Sequence, residues 1–344
     1  MKILSVGTMN GISNTCVHRN WALEKISDTI DVVDTYHKID LWYRIAHHLF
    51  LYGFRVKLPD LAGANHKIRC YVNQNQYDVI WIDKGITIYR ETLLYIKEKQ
   101  PKAVIVSYSP DNMALRHNQS QQYLESIPLY NYIVTTKSYI LNDMKRLGAK
   151  NVLFVNNAFE SRFHHLYDLS KEDYSRLSAD VSFVGSYESE RCNSLLYLAD
   201  HGIKVSVWGT GRKWRRYIDY SDNFILHDGL YSEDYSKSFK ASKISLCFLK
   251  KMNFDQQTTR SVEIPACGGF MLAERTNEHK ALFEEDKEAV YFSSNEELLE
   301  KCRYYLKHEE ERKTIATLGH KRCIDSDYSN EGMVRHVFQT IGLI

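Results

Sequence analysis

The sequence predicts an α/β fold of two Rossmann-like domains in tandem, with a ligand cleft between them. Three observations predict it. Short apolar runs alternate with helical patterns from the N-terminus to about residue 155, which is the β-α-β rhythm of a parallel, doubly wound sheet. The same rhythm restarts at Asp180, after a polar and irregular stretch. The chain has 344 residues, more than one core ordinarily holds.

In the first half, residues 2–6 form an apolar strand, followed by a glycine-containing loop over 7–13 and a helix over 15–26. Residues 30–33 form a second strand, and 41–51 have the spacing of a helix. A strand over 79–82 precedes a helix over 91–99 that Pro101 ends. Strands at 103–107 and 132–135, a helix at 139–147 closed by Gly148, and a strand at 152–155 complete this half. Residues 159–179 read as a linker. The second half opens with a strand over 180–184 that ends in Gly185-Ser186, then a helix over 191–201 closed by Gly202. Strands follow at 204–208, 224–226, 244–248, 270–273 and 290–292. Helices follow at 232–241, 296–306, 309–323 and 331–341, with one short helical turn around Glu263.

Composition excludes several classes. Hydrophobic residues make up 44% and charged residues 26%, as in ordinary globular proteins. A net charge of +2 argues against a dedicated nucleic-acid binder. No apolar run reaches the ~18 residues of a membrane-spanning helix. The N-terminus runs straight into a strand with no signal-peptide pattern. The seven cysteines are scattered and never in CxxC spacing, which points to reduced thiols in a cytoplasmic protein, neither a disulfide scaffold nor a zinc site. The pairs His47-His48 and His164-His165 point in different directions on a helix and suggest no metal site.

The most informative segment is 259–274. Glu263 stands on a helical turn beside a glycine corner, Gly268-Gly269, where a carboxylate can accept hydrogen bonds from sugar hydroxyls. Arg260 and Ser261 sit at the start of that turn, and a helix start with an Arg favours phosphate. The plain alternative is a surface helix with a glycine cap. Gly185-Ser186 and Arg191 form a second candidate, since a small-residue turn after a strand lets backbone approach phosphate closely. Gly209, Gly211 and the basic run 212–216 follow another strand. That run could face a diphosphate, an anionic acceptor or anionic membrane lipid, or be a solvated loop. Gly-Thr-Gly lacks the rest of a dinucleotide fingerprint, which disfavours a nicotinamide dehydrogenase.

Several stretches together resemble the GT-B glycosyltransferases of the spore-maturation CgeB-like group. They are 182–191 (SFVGSYESER), 207–209 (VWG), 260–269 (RSVEIPACGG) and 292–306 (FSSNEELLEKCRYYL) followed by Glu311-Arg312. The likeness covers nearly all of the C-terminal half. The N-terminal half is similar in layout, with 78–85 (DVIWIDKG) and 107–112 (SYSPDN) as the recognisable points. The resemblance implies that residues 1–158 bind an acceptor, that 180–325 bind a nucleotide-sugar donor, and that a C-terminal helix within 326–344 packs back on the N-terminal domain. It implies that Glu263 accepts hydrogen bonds from the ribose. Asp255 stands eight positions earlier, where many such enzymes carry a Glu near the donor sugar. Gly229 and Tyr231 occupy the place where the base is met, with Tyr231 able to stack on it. The reaction implied is metal-independent transfer of a sugar from a nucleotide-diphosphate donor to a hydroxyl of a glycan, lipid-linked or protein acceptor. No nucleic acid is expected as a partner, and peripheral contact at the inner face of the membrane is an open alternative. Asp111, after an apolar strand, and His18, after the first loop, are the candidate catalytic bases. Asp83 and Lys84 follow another strand end. A nucleotide-sugar epimerase and a non-catalytic nucleotide-sugar binder are the other readings.

Overall fold

The computed structural model describes residues 1–344. The chain forms two compact units, one made of Met1–Asn156 with Asn330–Ile344, the other of Asn157–Ser329. No helix is long and apolar enough to cross a membrane.

The first unit contains, in order, β1 (Lys2–Gly7), α1 (Thr15–Ile26), β2 (Thr29–Asp34), α2 (Leu41–Leu51), α3 (Ala64–Gln74), β3 (Val79–Asp83), α4 (Arg90–Lys99), β4 (Val104–Ser109), α5 (Gln121–Ser126), β5 (Tyr132–Thr135), α6 (Leu141–Arg146) and β6 (Val152–Phe154). All strand pairs are parallel, in the order β2-β1-β3-β4-β5-β6. Their side chains are apolar on both faces, as a sheet covered twice requires. Leu4, Ile80, Ile82 and Ile105 pack with Ile68, Val72, Leu93 and Ile96 from the helices on one face.

The second unit contains α7 (Lys171–Leu177), β7 (Val181–Val184), α8 (Ser189–Asp200), β8 (Val205–Trp208), β9 (Phe224–His227), α9 (Ser232–Ala241), β10 (Ile244–Cys247), α10 (Arg260–Ala266), β11 (Met271–Glu274), α11 (Asn277–Leu282), β12 (Val290–Phe292), α12 (Asn295–Lys307) and α13 (Glu309–Asp325). Its parallel sheet runs β12-β11-β10-β7-β8-β9. The last helix, α14 (Asn330–Thr340), belongs to the first unit. It packs on α1, and its Phe338 meets Trp81 edge-on at 6.2 Å.

Each sheet has one point where successive crossovers leave in opposite directions: between β1 and β3, and between β7 and β10. Ligands of open α/β sheets bind outside the carboxyl ends of the strands at such points.

Four helices, α3, α5, α7 and α11, go beyond the sequence reading, and α7 and α3 show why. Residues 159–179, read as a linker, are part of the second unit. The Phe159 N–H donates to Tyr328 O at 3.0 Å, and α7 starts with a capping box between Ser170 and Asp173. The Ser-x-x-Asp spacing was the signal for it. Helix α3 escapes pattern reading because its N-cap is Gly63, with φ +65° and no capping side chain. Asp60 instead accepts from the N–H groups of Ala64 and Asn65, at 2.9 and 2.8 Å.

Candidate functional site

At the β7/β10 crevice two arginines share one aromatic ring. Phe183, near the end of β7, has the Arg191 guanidinium 5.4 Å from its centroid and that of Arg260 at 5.9 Å. Arg191 is buried in the first turn of α8 and donates to Ser186 O at 2.9 Å and to Leu249 O at 3.3 Å. It thereby ties the loop after β7 to the end of β10. Glu188 takes a third bond at 3.2 Å. The Nε atoms of both arginines are buried without a hydrogen-bond partner. Burial, followed by the charge of Arg260, pulls the Arg191 guanidinium below its ordinary range. Buried Arg191 and partly buried Arg260, each with an unmade Nε hydrogen bond, favour an anion within reach of both. A cavity of about 390 Å³ opens beside Arg191, with Phe248, Lys251, Glu274 and Arg275 in its wall. The sequence reading did not single out the last three, which come from strand ends distant in sequence.

The glycine turns around this crevice have packing reasons. A Cβ on Gly209 would lie 2.4 Å from Trp214 Nε1 and 2.9 Å from Gly185 O. Trp214 is fully buried and donates that Nε1–H to Gly185 O at 3.0 Å. The basic run 212–216 is therefore not a loose solvated loop. Its central Trp is an anchor, while Arg212, Lys213, Arg215 and Arg216 stay exposed. Gly185 itself faces the Phe183 ring and Arg260, and Ser186 is exposed beside it. After β9, a Cβ on Gly229 would meet Thr210 at 2.8 Å and the Tyr231 hydroxyl at 3.2 Å, and the Tyr231 ring is exposed there. Tyr231 is the N-cap of α9, and Ser232, the first residue of the helix, has φ +52°.

Segment 259–274 divides into two ends. The chain enters α10 from the carboxyl end of β10 and leaves it toward the amino end of β11. Arg260 thus lies on the ligand side of the sheet, whereas Gly268 and Gly269 lie at the opposite edge. Gly268 has φ +73°, where the helix stops, and Gly269 abuts Phe239 O of α9. The corner closes the helix and packs it, so it does not grip sugar or phosphate. Three N–H groups at the helix start are not open to a phosphate. Ser261 N donates to Thr258 O, and the Val262 and Glu263 N–H groups donate to Thr259 O, at 2.9–3.0 Å.

Ser261 is fully buried. Its Oγ accepts from Thr258 N at 3.0 Å and donates to His279 Nε2 at 2.7 Å, because His279 Nδ1–H is committed to Glu274 O at 2.6 Å. Ser261 therefore braces the loop before α10 and does not face a ligand. Burial pushes His279 down to about 4, partly opposed by the Glu274 carbonyl. The unfolded chain binds this proton near 6.5. Stability should therefore fall as pH drops from about 6.5 to about 4, by about 3 kcal/mol from this group. Urea unfolding across that window should show a shallower pH slope in His279→Gln, and an equal slope would contradict the assignment.

Glu263 is 4% exposed. Its Oε2 accepts from the Tyr235 hydroxyl at 2.6 Å, and Oε1 lies 3.9 Å from His164 Nε2. His164 Nδ1 accepts from Glu160 N, so Nε2 carries the ring proton in the neutral form. Burial first, then Glu263, raises the Tyr235 phenol well above its ordinary value. Tyr235 and His164 were missed as partners because they stand 28 and 99 positions from Glu263. Asp255 lies half-buried in the loop between β10 and α10, its N–H donating to Lys250 O at 3.3 Å.

In the first unit, Asp111 follows β4 and accepts from Lys84 Nζ at 2.6 Å. Lys84 follows β3 with φ +61°. His18 is 5% exposed, stacks on Trp21, and donates from Nε2 to Ile12 O at 2.8 Å, since a carbonyl can only accept. That bond holds the loop after β1 against α1 and gives His18 a structural task. Asp83 does not face solvent either. It forms a two-pronged pair with buried Arg19 at 2.6 and 3.0 Å, while Arg19 lies over the Tyr108 ring at 4.4 Å. A cavity of about 210 Å³ at this switch point is lined by Thr8, Thr35, His37, Tyr43, Asp83 and Lys84.

Residues 191–339 match the glycosyl transferase-like family. The match begins at the arginine that ties β7 to β10 and takes in α10. No curated protein matches the chain in sequence. Solved structures do match in fold. HepE of Anabaena, in complex with UDP and glucose, has a TM-score of 0.65 at 12% identity over 100% of both chains. Sucrose-phosphate synthase of Thermosynechococcus elongatus has a TM-score of 0.66 at 11% identity, over 99% of this chain and 97% of its own. A Listeria monocytogenes protein assigned as a UDP-N-acetylglucosamine 2-epimerase has a TM-score of 0.55 at 12% identity, over 98% and 94%. The shared fold is the α/β GT-B class, with two six-stranded parallel sheets flanked by helices.

Proposed function

We propose that this chain transfers a sugar from a nucleoside-diphosphate donor to a hydroxyl acceptor, with the donor held by the second unit. The observation that carries this reading is the pair Arg191 and Arg260 on Phe183, each with a buried Nε in want of an acceptor. A diphosphate supplies oxygens to both. As the glycosidic bond breaks, charge grows on the leaving diphosphate, and two fixed guanidinium groups stabilise that charge without reorganising. The match of residues 191–339 to glycosyl transferase-like proteins, and the UDP held by HepE, support the same donor class.

Around this anchor, exposed Tyr231 after β9 would stack on the base, and Glu263 would receive the ribose hydroxyls. Asp255 would lie toward the donor sugar. Glu263→Gln keeps the shape of the Tyr235 contact but removes the charge. It should weaken donor binding about tenfold or more, measured by calorimetry, and unchanged affinity would remove Glu263 from the site. On the acceptor side, Asp111 is favoured over His18 as the base, because the His18 ring already ties down the loop after β1. Asp111→Asn should leave donor affinity unchanged and lower turnover by about 10²-fold or more, and unchanged turnover would exclude it.

On this reading the chain would belong to the CgeB-like group, with a cytoplasmic setting and a glycan, lipid-linked or protein acceptor. Catalysis is proposed to need no metal, so EDTA should leave turnover unchanged. The epimerase reading has the Listeria protein's fold on its side. It is separated by incubating enzyme and UDP-sugar without acceptor, since an epimerase alone would change the sugar. A thermal-shift screen against nucleoside diphosphates and their sugars tests the whole reading, because a ligand of the native state raises stability. No shift with any of them would overturn it.

A further inference from the structure

Helix α2 is apolar on two faces, and only one of them is covered. Tyr43 and Phe50 are buried in the first unit. Arg116 locks the inner face from outside the helix, donating to Phe50 O at 2.8 Å with its guanidinium 4.2 Å from the Phe50 ring. Asp40 caps the N-terminus by accepting from Tyr43 N at 2.7 Å. The helix is therefore held firmly, and its other apolar side chains point outward. Leu41 is 68% exposed, Trp42 72% and Tyr52 72%, with Ile45 and Leu49 exposed between them. At about 100° per residue, Leu41, Tyr52, Ile45, Leu49 and Trp42 form one stripe about 100° wide. Ile39 before the helix and Phe54 after it extend the stripe at both ends, and both are exposed.

Cations border this stripe. Between residues 36 and 57 the chain carries Lys38, Arg44, Arg55 and Lys57 against the single acid Asp40. Lys57 is paired with Glu91 and Glu125. Lys38, Arg44 and Arg55 are exposed, and no ion pair engages them. Arg44 and His48 lie on the flank of the stripe, next to Leu41 on the helical wheel. An outward stripe of aromatic and aliphatic side chains edged by unpaired cations has the chemistry of an interfacial helix on a negatively charged lipid surface. A second copy fits less well, because an isologous pairing would set the same cations against one another.

We infer that the exposed face of α2, with Ile39 and Phe54, docks this protein on anionic lipid bilayers. The helix lies in the plane of the headgroups, with Trp42 and Leu41 entering the acyl boundary and Arg44 and Arg55 meeting lipid phosphates. The inference rests on the first unit alone and does not depend on the proposed donor site.

The test is co-sedimentation of the full chain with vesicles of phosphatidylcholine alone, or of phosphatidylcholine with about one-third phosphatidylglycerol. Binding is expected to the anionic vesicles, at least about tenfold tighter than to neutral ones, and weakened by salt. The variant L41S/W42S/I45S changes exposed side chains only and should lose binding, with far-UV circular dichroism and melting temperature unchanged. R44E/R55E should weaken binding by roughly tenfold or more while keeping the apolar stripe. Brominated lipid should quench wild-type fluorescence much more than that of W42F, since Trp81, Trp208 and Trp214 are buried and Trp21 is partly buried on α1. No binding to anionic vesicles, or equal binding by the triple-serine variant, would overturn the inference. So would a wild-type dimer in sedimentation that the triple-serine variant abolishes without any vesicle binding, because the stripe would then be a contact between copies.

Discussion

Replacing Arg260 with alanine should cost the protein most of its affinity for a nucleoside diphosphate. A hydrogen bond to a charged group contributes about 1.5–3 kcal/mol, so the loss should be roughly ten- to 150-fold. Arg260 is the cleaner of the two arginines to remove, because Arg191 also holds the carbonyls of Ser186 and Leu249. Arg191→Ala should weaken binding by a similar factor and also loosen the loop after β7. Arg260→Lys keeps the charge but loses the planar fork, so it should recover only part of the affinity. Arg260 also interacts with Tyr235 and with the Glu263 carboxylate. Arg260→Ala should therefore lower the melting temperature of the ligand-free protein slightly, since it leaves the buried Glu263 carboxylate without that cation. A lowered melting temperature with unchanged affinity would mean that Arg260 serves the fold alone.

The largest stability effect is expected in the first unit, at Asp83. Arg19 and Asp83 are each under a tenth exposed and form two short bonds. Asp83→Ala would leave the Arg19 charge buried with only the Tyr108 ring against it. Breaking a buried pair in this way costs about 3–5 kcal/mol. The double variant Arg19→Met/Asp83→Leu should recover most of that loss, since apolar residues of similar volume replace such pairs with little penalty. Urea unfolding followed by circular dichroism measures both. A change below about 1 kcal/mol in Asp83→Ala would mean that water already reaches the pair.

What was legible in the sequence is what is local. The strand ends that bear Gly185 and Gly209 follow short apolar runs, and the periodicity of those runs gives the two parallel sheets without reference to the rest of the chain. The arginines of the donor crevice could be read because each stands in the first turn of the helix that follows such a strand. The partners of those residues could not be read. Glu263 was singled out for its place on a helical turn, but its carboxylate is set by Tyr235 and His164, which reach it from α9 and from the segment before α7. Ser261 sits beside Arg260 in sequence yet turns inward to His279, 18 positions later. The Gly268-Gly269 corner resembled a binding turn because glycine is needed equally for a left-handed helix stop and for close contact with a neighbouring helix. Only the direction of α10 along the sheet shows which. The basic run 212–216 hid its anchor, because a buried Trp between exposed cations has no period for a pattern to detect.

The central claim is that the second unit grips a diphosphate through Arg191 and Arg260. Titration calorimetry of uridine and UDP, repeated for the other bases, tests it most directly. The account predicts that one diphosphate binds at least about 10²-fold more tightly than its nucleoside, and that Arg260→Ala removes most of that difference while nucleoside affinity holds. Equal affinity for nucleoside and diphosphate, or a difference untouched by Arg260→Ala, would contradict it.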